Sequence, residues 1–325
     1  MTTLAAIATK DALVMGCDSL GSITAYYVDP ARLMSFFDAE NGNLRLDEYG
    51  KPLLENASAV WGMAEILPYN HMTHVDKLFS LKPLPMGVMV TGIASIGDFT
   101  IKNLINQFKG TDPVVGGGSG VHDYTVKGIA EKLLNFIYDH YDKIYRDWPN
   151  KPPLELMIGG YDEQKHIPTI LRIHVHDNRI EATFDDFGVS FGGQMTEIQR
   201  LVFGTDVMNR VLLSDRNRQI LEKYRDRVID LLRENGIGTD LAMPDVQDYN
   251  LFSDSWSLMG FDANWGDFSE RNAIECVKFF IDIMVKSQQF SNRLPTVGGD
   301  VHIGIITKTD GFKRVLIDEM GVRYE

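Results

Sequence analysis

The chain has 325 residues, 44% hydrophobic and 24% charged, with 32 Lys+Arg against 45 Asp+Glu for a formal net charge of −13. That composition fits one large globular domain or two small ones, and it leaves no basic surplus for general binding to nucleic acid or to anionic membranes. The longest charge-free apolar stretch, Pro83 to Gly97, falls short of the ~20 residues of a membrane-spanning helix, and two cysteines, Cys17 and Cys276, are too few for a disulfide framework or a thiolate metal cluster.

The first residues lack a basic stretch and meet Lys10, Asp11 and Asp18 early, unlike a secretory signal. A structured start and a cytoplasmic location are the expectations. Thr2 to Thr9 and Ala12 to Cys17 are short apolar runs around Lys10-Asp11, which predicts a hairpin. Both runs are apolar on both faces, as in a sheet covered on two sides. From Gly21 to Thr73 no long period holds, and the segment is read as an insertion with turn signals. Strand character returns at Lys77 to Leu81 and Gly87 to Thr91, followed by a helix expected from about Asp98 to Phe108 and a flexible loop at Gly116 to Gly120.

Val126, Ile129, Ala130, Leu133, Ile137, Tyr141 and Ile144 recur at helical spacing and predict a helix from about His122 to Arg146 with one buried face. Glu155 to Gly160, Thr169 to His176 and Arg179 to Phe184 read as a meander with Asp177-Asn178 in its second turn. Ser214 is a candidate N-cap for a charged helix to about Glu234, with Gly236 beyond its end, inside a second insertion from about Gly204 to Gly266. Asp267-Phe268-Ser269-Glu270 begins another helix that carries Ile274, Val277, Ile281 and Met284 on one face. A hairpin closes the chain, Val301 to Thr307 and Phe312 to Ile317 around Thr309-Asp310-Gly311. Strands, helices, strands, helix, strands suit two sheets between helical layers better than an alternating parallel fold.

Several residues invite a chemical reading that their spacing does not sustain. His71 and His74 are spaced as on one helix face, and His174 and His176 as on one strand face, but neither pair has a third ligand at a diagnostic spacing. No metal or cofactor is expected. Gly116 to Gly120 lacks the Lys-Ser/Thr of a phosphate loop. Cys17 lies next to Asp18, which disfavours a thiolate, and reads as a buried apolar residue. Trp256, Trp265 and Phe268 are either an exposed contact surface or a local core.

Met1-Thr2-Thr3-Leu4-Ala5-Ala6-Ile7-Ala8, continued by Leu13-Val14-Met15-Gly16-Cys17-Asp18-Ser19, resembles the N-terminal hairpin of proteasome β subunits and their bacterial relatives, a family of N-terminal nucleophile hydrolases. Three further segments are similar in the same order: Val75 to Leu81 through Val90-Thr91-Gly92-Ile93-Ala94, then Met157 to Asp162, then Gly298-Gly299-Asp300-Val301 through Gly311. The resemblance implies an α+β fold, a four-layer αββα sandwich, as a single domain over residues 1–325 with insertions at about 21–73 and 204–266. It implies a threonine-type peptidase in a homo-oligomeric ring or part-ring, with a peptide or amide substrate, an unfoldase partner left open, and no nucleic-acid or membrane partner.

Chemistry at Thr2 also has a rationale of its own. Methionine before a small residue is of the type normally trimmed, which would leave Thr2 with a free α-amine. An α-amine titrates at about 7.7–8.0, so part of it is unprotonated at neutral pH and can serve as base for the Thr2 hydroxyl. Lys77 and Asp18 match the family positions that lower the amine's pKa and hold the ammonium, and the backbone N–H groups around Thr91-Gly92 match the oxyanion donors. Two departures stand against this pattern. Phe191-Gly192-Gly193-Gln194 occupies the place of a Gly-Ser-Gly turn, and Leu294-Pro295-Thr296-Val297 the place of an aspartate and a serine three residues apart, with Thr296 or Ser291 as candidate substitutes. A structural subunit with little or no activity, and an amidohydrolase acting on a small amide, remain as alternatives.

Overall fold

A computed structural model describes residues 2–38, 42–54, 65–116, 123–148, 150–184, 187–203, 215–236, 263–291, 294–318 and 321–324. Strands β1 (Thr3–Ala8) and β2 (Leu13–Asp18) pair antiparallel, with Leu4 opposite Cys17, and every residue of both is buried. The Thr9 hydroxyl accepts from the Ala12 N–H at 3.0 Å and closes their turn.

The segment without a sequence period does hold regular elements. Strands β3 (Gly21–Tyr27) and β4 (Glu65–Met72) pair antiparallel as a two-stranded sheet, and between them helix α1 (Pro30–Met34) starts at Asp29, whose carboxylate accepts from the Ala31 N–H. All of residues 28–64 separate the two strands, so no turn signal links them.

Strands β5 (Leu78–Ser80) and β6 (Met86–Gly92) lie where expected. A small hairpin of β7 (Ser95–Ile96) and β8 (Phe99–Thr100) then delays helix α2 (Ile101–Thr111), which Thr100 caps by accepting from the Asn103 N–H. Helix α3 (Val126–Tyr145) buries Val126, Ile129, Ala130, Leu133, Ile137 and Tyr141. Ile144, expected on that face, is instead 46% exposed near the helix end.

Strands β9 (Leu154–Gly160), β10 (Thr169–His174) and β11 (Arg179–Phe184) form the meander. A 3-10 turn at Val175–Asp177, with Asn178 at φ 50°, ends β10 early and takes His176 off the strand. The stretch aligned with a Gly-Ser-Gly turn belongs mostly to strand β12 (Gly188–Gly193).

Helices α4 (Thr196–Phe203), α5 (Asp215–Glu234) and α6 (Glu270–Gln289) follow. The expected cap Ser214 lies outside the described residues, whereas Ser269 caps α6 by accepting from the Asn272 N–H. Ile274, Val277, Ile281 and Met284 are all buried on α6. Trp265 and Phe268 pack against the same apolar cluster, with the Trp265 ring 6.3 Å from that of Phe280, which makes them local core. Trp256 lies outside the described residues. Strands β13 (Val301–Thr307) and β14 (Gly311–Asp318) close the chain as a hairpin, and β15 (Gly321–Tyr324) extends it.

Among the described residues the strands form two larger antiparallel sheets, ordered β12-β1-β2-β13-β14-β15 and β11-β10-β9-β6-β5. Side chains alternate across each strand and so serve different cores. On β1, Ala5 and Ile7 join α4 and α6 in one cluster, while Leu4, Ala6 and Ala8 meet Leu78, Met89 and Met157 of the other sheet in a second. On β6, Val88 and Val90 join α2 and α3 in a third. The molecule is thus a mixed α and β structure with several antiparallel sheets. Among the described residues no helix is long and apolar enough to cross a membrane.

Candidate active site

Asp18 ends β2, is fully buried, and gathers five hydrogen bonds among the described residues. Its Oδ1 accepts from the Thr3 N–H at 3.0 Å, and its Oδ2 from the N–H groups of Leu20 at 3.2 Å and Gly298 at 3.1 Å. Lys77 Nζ donates to both oxygens, at 3.2 and 3.1 Å, and to the Leu20 carbonyl at 2.6 Å. A carboxylate with several donors and a partner ammonium is the form in which buried charges are tolerated.

The backbone fixes Lys77 from both sides. The Val75 N–H donates to the Ser19 carbonyl at 2.9 Å, and the Val90 N–H to the Lys77 carbonyl at 3.0 Å. Lys77 is 6% exposed and Thr2 4%. Both line one cavity of about 240 Å³ together with Thr91 and Gly92, against a mainly apolar wall that includes Val75, Phe79, Val90 and Ile93. Four of the five residues singled out in the sequence therefore meet at one cavity, and the fifth, Asp18, holds Lys77 and the residue after Thr2 from behind.

Two glycines shape this place. Gly92 sits at φ 106°, and a Cβ there would lie 2.2 Å from the Pro153 carbonyl oxygen. Gly193 sits at φ 68°, and a Cβ there would lie 1.9 Å from the Thr2 carbonyl oxygen and 2.9 Å from Thr91 Oγ1. At Gly192, the position aligned with the family's serine, a Cβ would meet Leu4 Cδ1 at 3.2 Å, whereas a side chain at Gly193 would collide with Thr2. The Thr91 hydroxyl lies beside it instead.

The sequence reading missed the residue that holds Thr2 and Thr3 in line. Gln194 continues the β12 pairing: its N–H donates to the Thr2 carbonyl at 2.8 Å, and its carbonyl accepts from the Thr3 hydroxyl at 2.7 Å. Its side-chain oxygen accepts from the Thr296 hydroxyl at 2.6 Å, while Gln288 Oε1 accepts from the Thr296 N–H at 3.0 Å. Thr296 thus serves Gln194 and Gln288, while the Gly298 backbone serves Asp18. The Gly-Gly pair ahead of β13 is the sequence signal for that backbone donor, whereas Gln194 enters only as the last residue of the stretch aligned with a Gly-Ser-Gly turn, with no role attached to it.

The remaining candidates go elsewhere. His71 lies on β4 and His74 beyond it at φ 58°, its Nδ1 2.8 Å from Asp300, so the pair is not on a helix. His174 lies between Glu155 and Glu181, at 3.4 and 3.1 Å. Among the described residues no group of three or more His, Cys, Asp or Glu side chains is placed to hold a metal ion. Burial, with Asp18 adding to it, pushes the Cys17 thiol up to about 12, and burial pushes Cys276 up to about 11. Gly116 donates its N–H to the Asp112 carbonyl, and 117–120 lie outside the described residues.

No family model matches the chain, and no curated protein matches it. Among solved structures it is similar to Anbu (ancestral beta-subunit) from Yersinia bercovieri, at 12% sequence identity over 96% of this chain and 86% of that chain, with a TM-score of 0.44. At this distance the likeness carries no chemistry over to this chain.

Proposed function

We infer that the protein is an N-terminal-threonine hydrolase of proteasome type that cleaves peptide bonds, a single domain over residues 1–325 with insertions at about 21–73 and 204–266. The observation that carries this reading is the convergence of Thr2 and Lys77 on one cavity, with the buried Asp18 bonded to both Lys77 and the Thr3 N–H. The three apolar clusters support a four-layer αββα arrangement as its frame.

In this reading the Thr2 hydroxyl attacks the scissile carbonyl while the α-amine takes its proton, and the Gly92 N–H stabilises the oxyanion. The amine returns that proton to the leaving nitrogen, leaving an ester on Thr2. Water, deprotonated by the same amine, then hydrolyses the ester and regenerates the hydroxyl. Lys77, as a neighbouring cation, disfavours the protonated amine and keeps the base available at neutral pH.

The amine exists only after Met1 is removed. Intact mass of protein from cells with normal methionine processing is expected to lack Met1, and to show turnover against a panel of internally quenched peptides. Complete retention of Met1 in active protein would defeat the amine-as-base mechanism. No turnover in trimmed protein would favour the inactive-subunit reading.

A homo-oligomer is part of the same proposal. Tyr27, Met34, Leu46, Tyr49 and Met72, all within the first insertion, are 47–79% exposed, an unusual run of apolar surface for a free subunit. Light scattering behind size exclusion at micromolar protein is expected to give a multiple of 36.6 kDa. A monodisperse monomer across concentration and salt would remove this part of the reading.

A further inference from the structure

Beside the Thr2 cavity lies a second one of about 350 Å³, and the two share Asp76, Phe79 and Lys102. Among the described residues its wall contains four cationic side chains, Lys82, Lys102, Lys109 and Arg314, against a single carboxylate, Asp76. That is the reverse of the balance over the whole chain, whose net charge is −13. Asp76 accepts from Lys102 Nζ at 2.6 Å and from Arg314 Nη2 at 3.2 Å, so its one charge is divided between two cations. Lys82 and Lys109 have no carboxylate partner among the described residues, and Lys109 is half-buried on α2. A concave surface with uncompensated positive charge focuses the field toward an incoming anion.

We propose that this basic groove extends the Thr2 cavity and takes a carboxylate of the substrate, on a residue near the one whose apolar side chain fills that cavity. The proposal rests on the hydrolase reading for its substrate. An extended peptide advances about 3.3–3.6 Å per residue, so a chain leaving the cavity past Phe79 reaches the groove within a few residues. Phe79 and the Asp76–Lys102 pair form the shared wall, which makes the apolar and anion-binding subsites parts of one surface.

The test uses acetylated, amidated octapeptides with a central Leu and Glu, Gln or Lys at flanking positions, plus the Gln peptide with a free terminal carboxylate. Cleavage by mass spectrometry and binding by calorimetry are measured in 50 and 500 mM salt, for wild type and Lys82→Gln/Lys109→Gln. Wild type is expected to prefer Glu over Gln by about five-fold or more at low salt, falling below about two-fold at high salt. The variant is expected to lose that preference and keep wild-type handling of the neutral peptide. A gain with the free terminal carboxylate alone would assign the groove to the chain end instead of a side chain and overturn the side-chain form of the proposal.

Cleavage without any charge preference, or a preference unchanged in the variant, overturns the groove and leaves the hydrolase reading standing. A Glu preference in binding that the variant loses, without cleavage of any peptide, upholds the groove and defeats the hydrolase reading. Peptides neither bound nor cleaved defeat both. A change in oligomeric mass in the variant, with no peptide preference in wild type, assigns the groove to contact between copies of this chain and also overturns the proposal.

Discussion

Thr2→Ala is expected to reduce peptide hydrolysis by on the order of 10⁴-fold or more, because a methyl group leaves the site without a nucleophile. Lys77→Ala should be nearly as severe. Residues acting as one unit give non-additive losses, so the double variant should be little worse than the worse single one. Losses that multiply would show that Lys77 acts outside the site. The pH profile offers a separate readout. The base form of the amine is required, and Lys77 favours that form by like-charge repulsion. Removing the ammonium takes away that repulsion and raises the amine's pKa, so the acid limb of the residual kcat/KM profile should move to higher pH. An unmoved limb would separate Lys77 from the amine, whatever the loss in rate.

The parts of the fold legible in the sequence are those whose partners are local. The β1–β2 hairpin follows from two apolar runs and a polar turn, and the buried faces of α3 and α6 follow from helical spacing that marks Ile129, Leu133, Val277 and Ile281 without reference to the rest of the chain. What escaped depends on distant partners. Strand β12 owes its existence to β1, across more than half of the chain, with Thr3 opposite Gly193. Its glycine-rich sequence reads locally as a turn. Among the described residues, β3 and β4 likewise pair with one another in a sheet of their own. The same distinction holds at the site. Thr2, Asp18 and Lys77 carry side chains with recognisable chemistry, whereas Gln194 acts on Thr2 and Thr3 through its backbone, and a backbone role leaves no trace in residue type.

The Asp18–Lys77 pair makes an unequal prediction for stability. Removing Lys77 leaves Asp18 with three backbone N–H donors, from Thr3, Leu20 and Gly298, so the buried carboxylate stays largely satisfied. Lys77→Ala is accordingly expected to cost about 1–3 kcal/mol. Removing Asp18 leaves the Lys77 ammonium, among the described residues, with only the Leu20 carbonyl, in a place where that residue is 6% exposed, and also orphans the three N–H groups that tie β1, the end of β2 and the loop before β13 together. Asp18→Ala should therefore cost about 3–5 kcal/mol, the range for breaking one side of a buried ion pair. Asp18→Asn is no rescue, because an amide NH2 in place of either oxygen faces at least one N–H donor and Lys77 Nζ. Urea denaturation of the single variants, compared at unchanged slope, orders them. A Lys77→Ala midpoint as low as that of Asp18→Ala would mean that the three backbone donors do not hold the carboxylate, and the asymmetry argued from their geometry would fall.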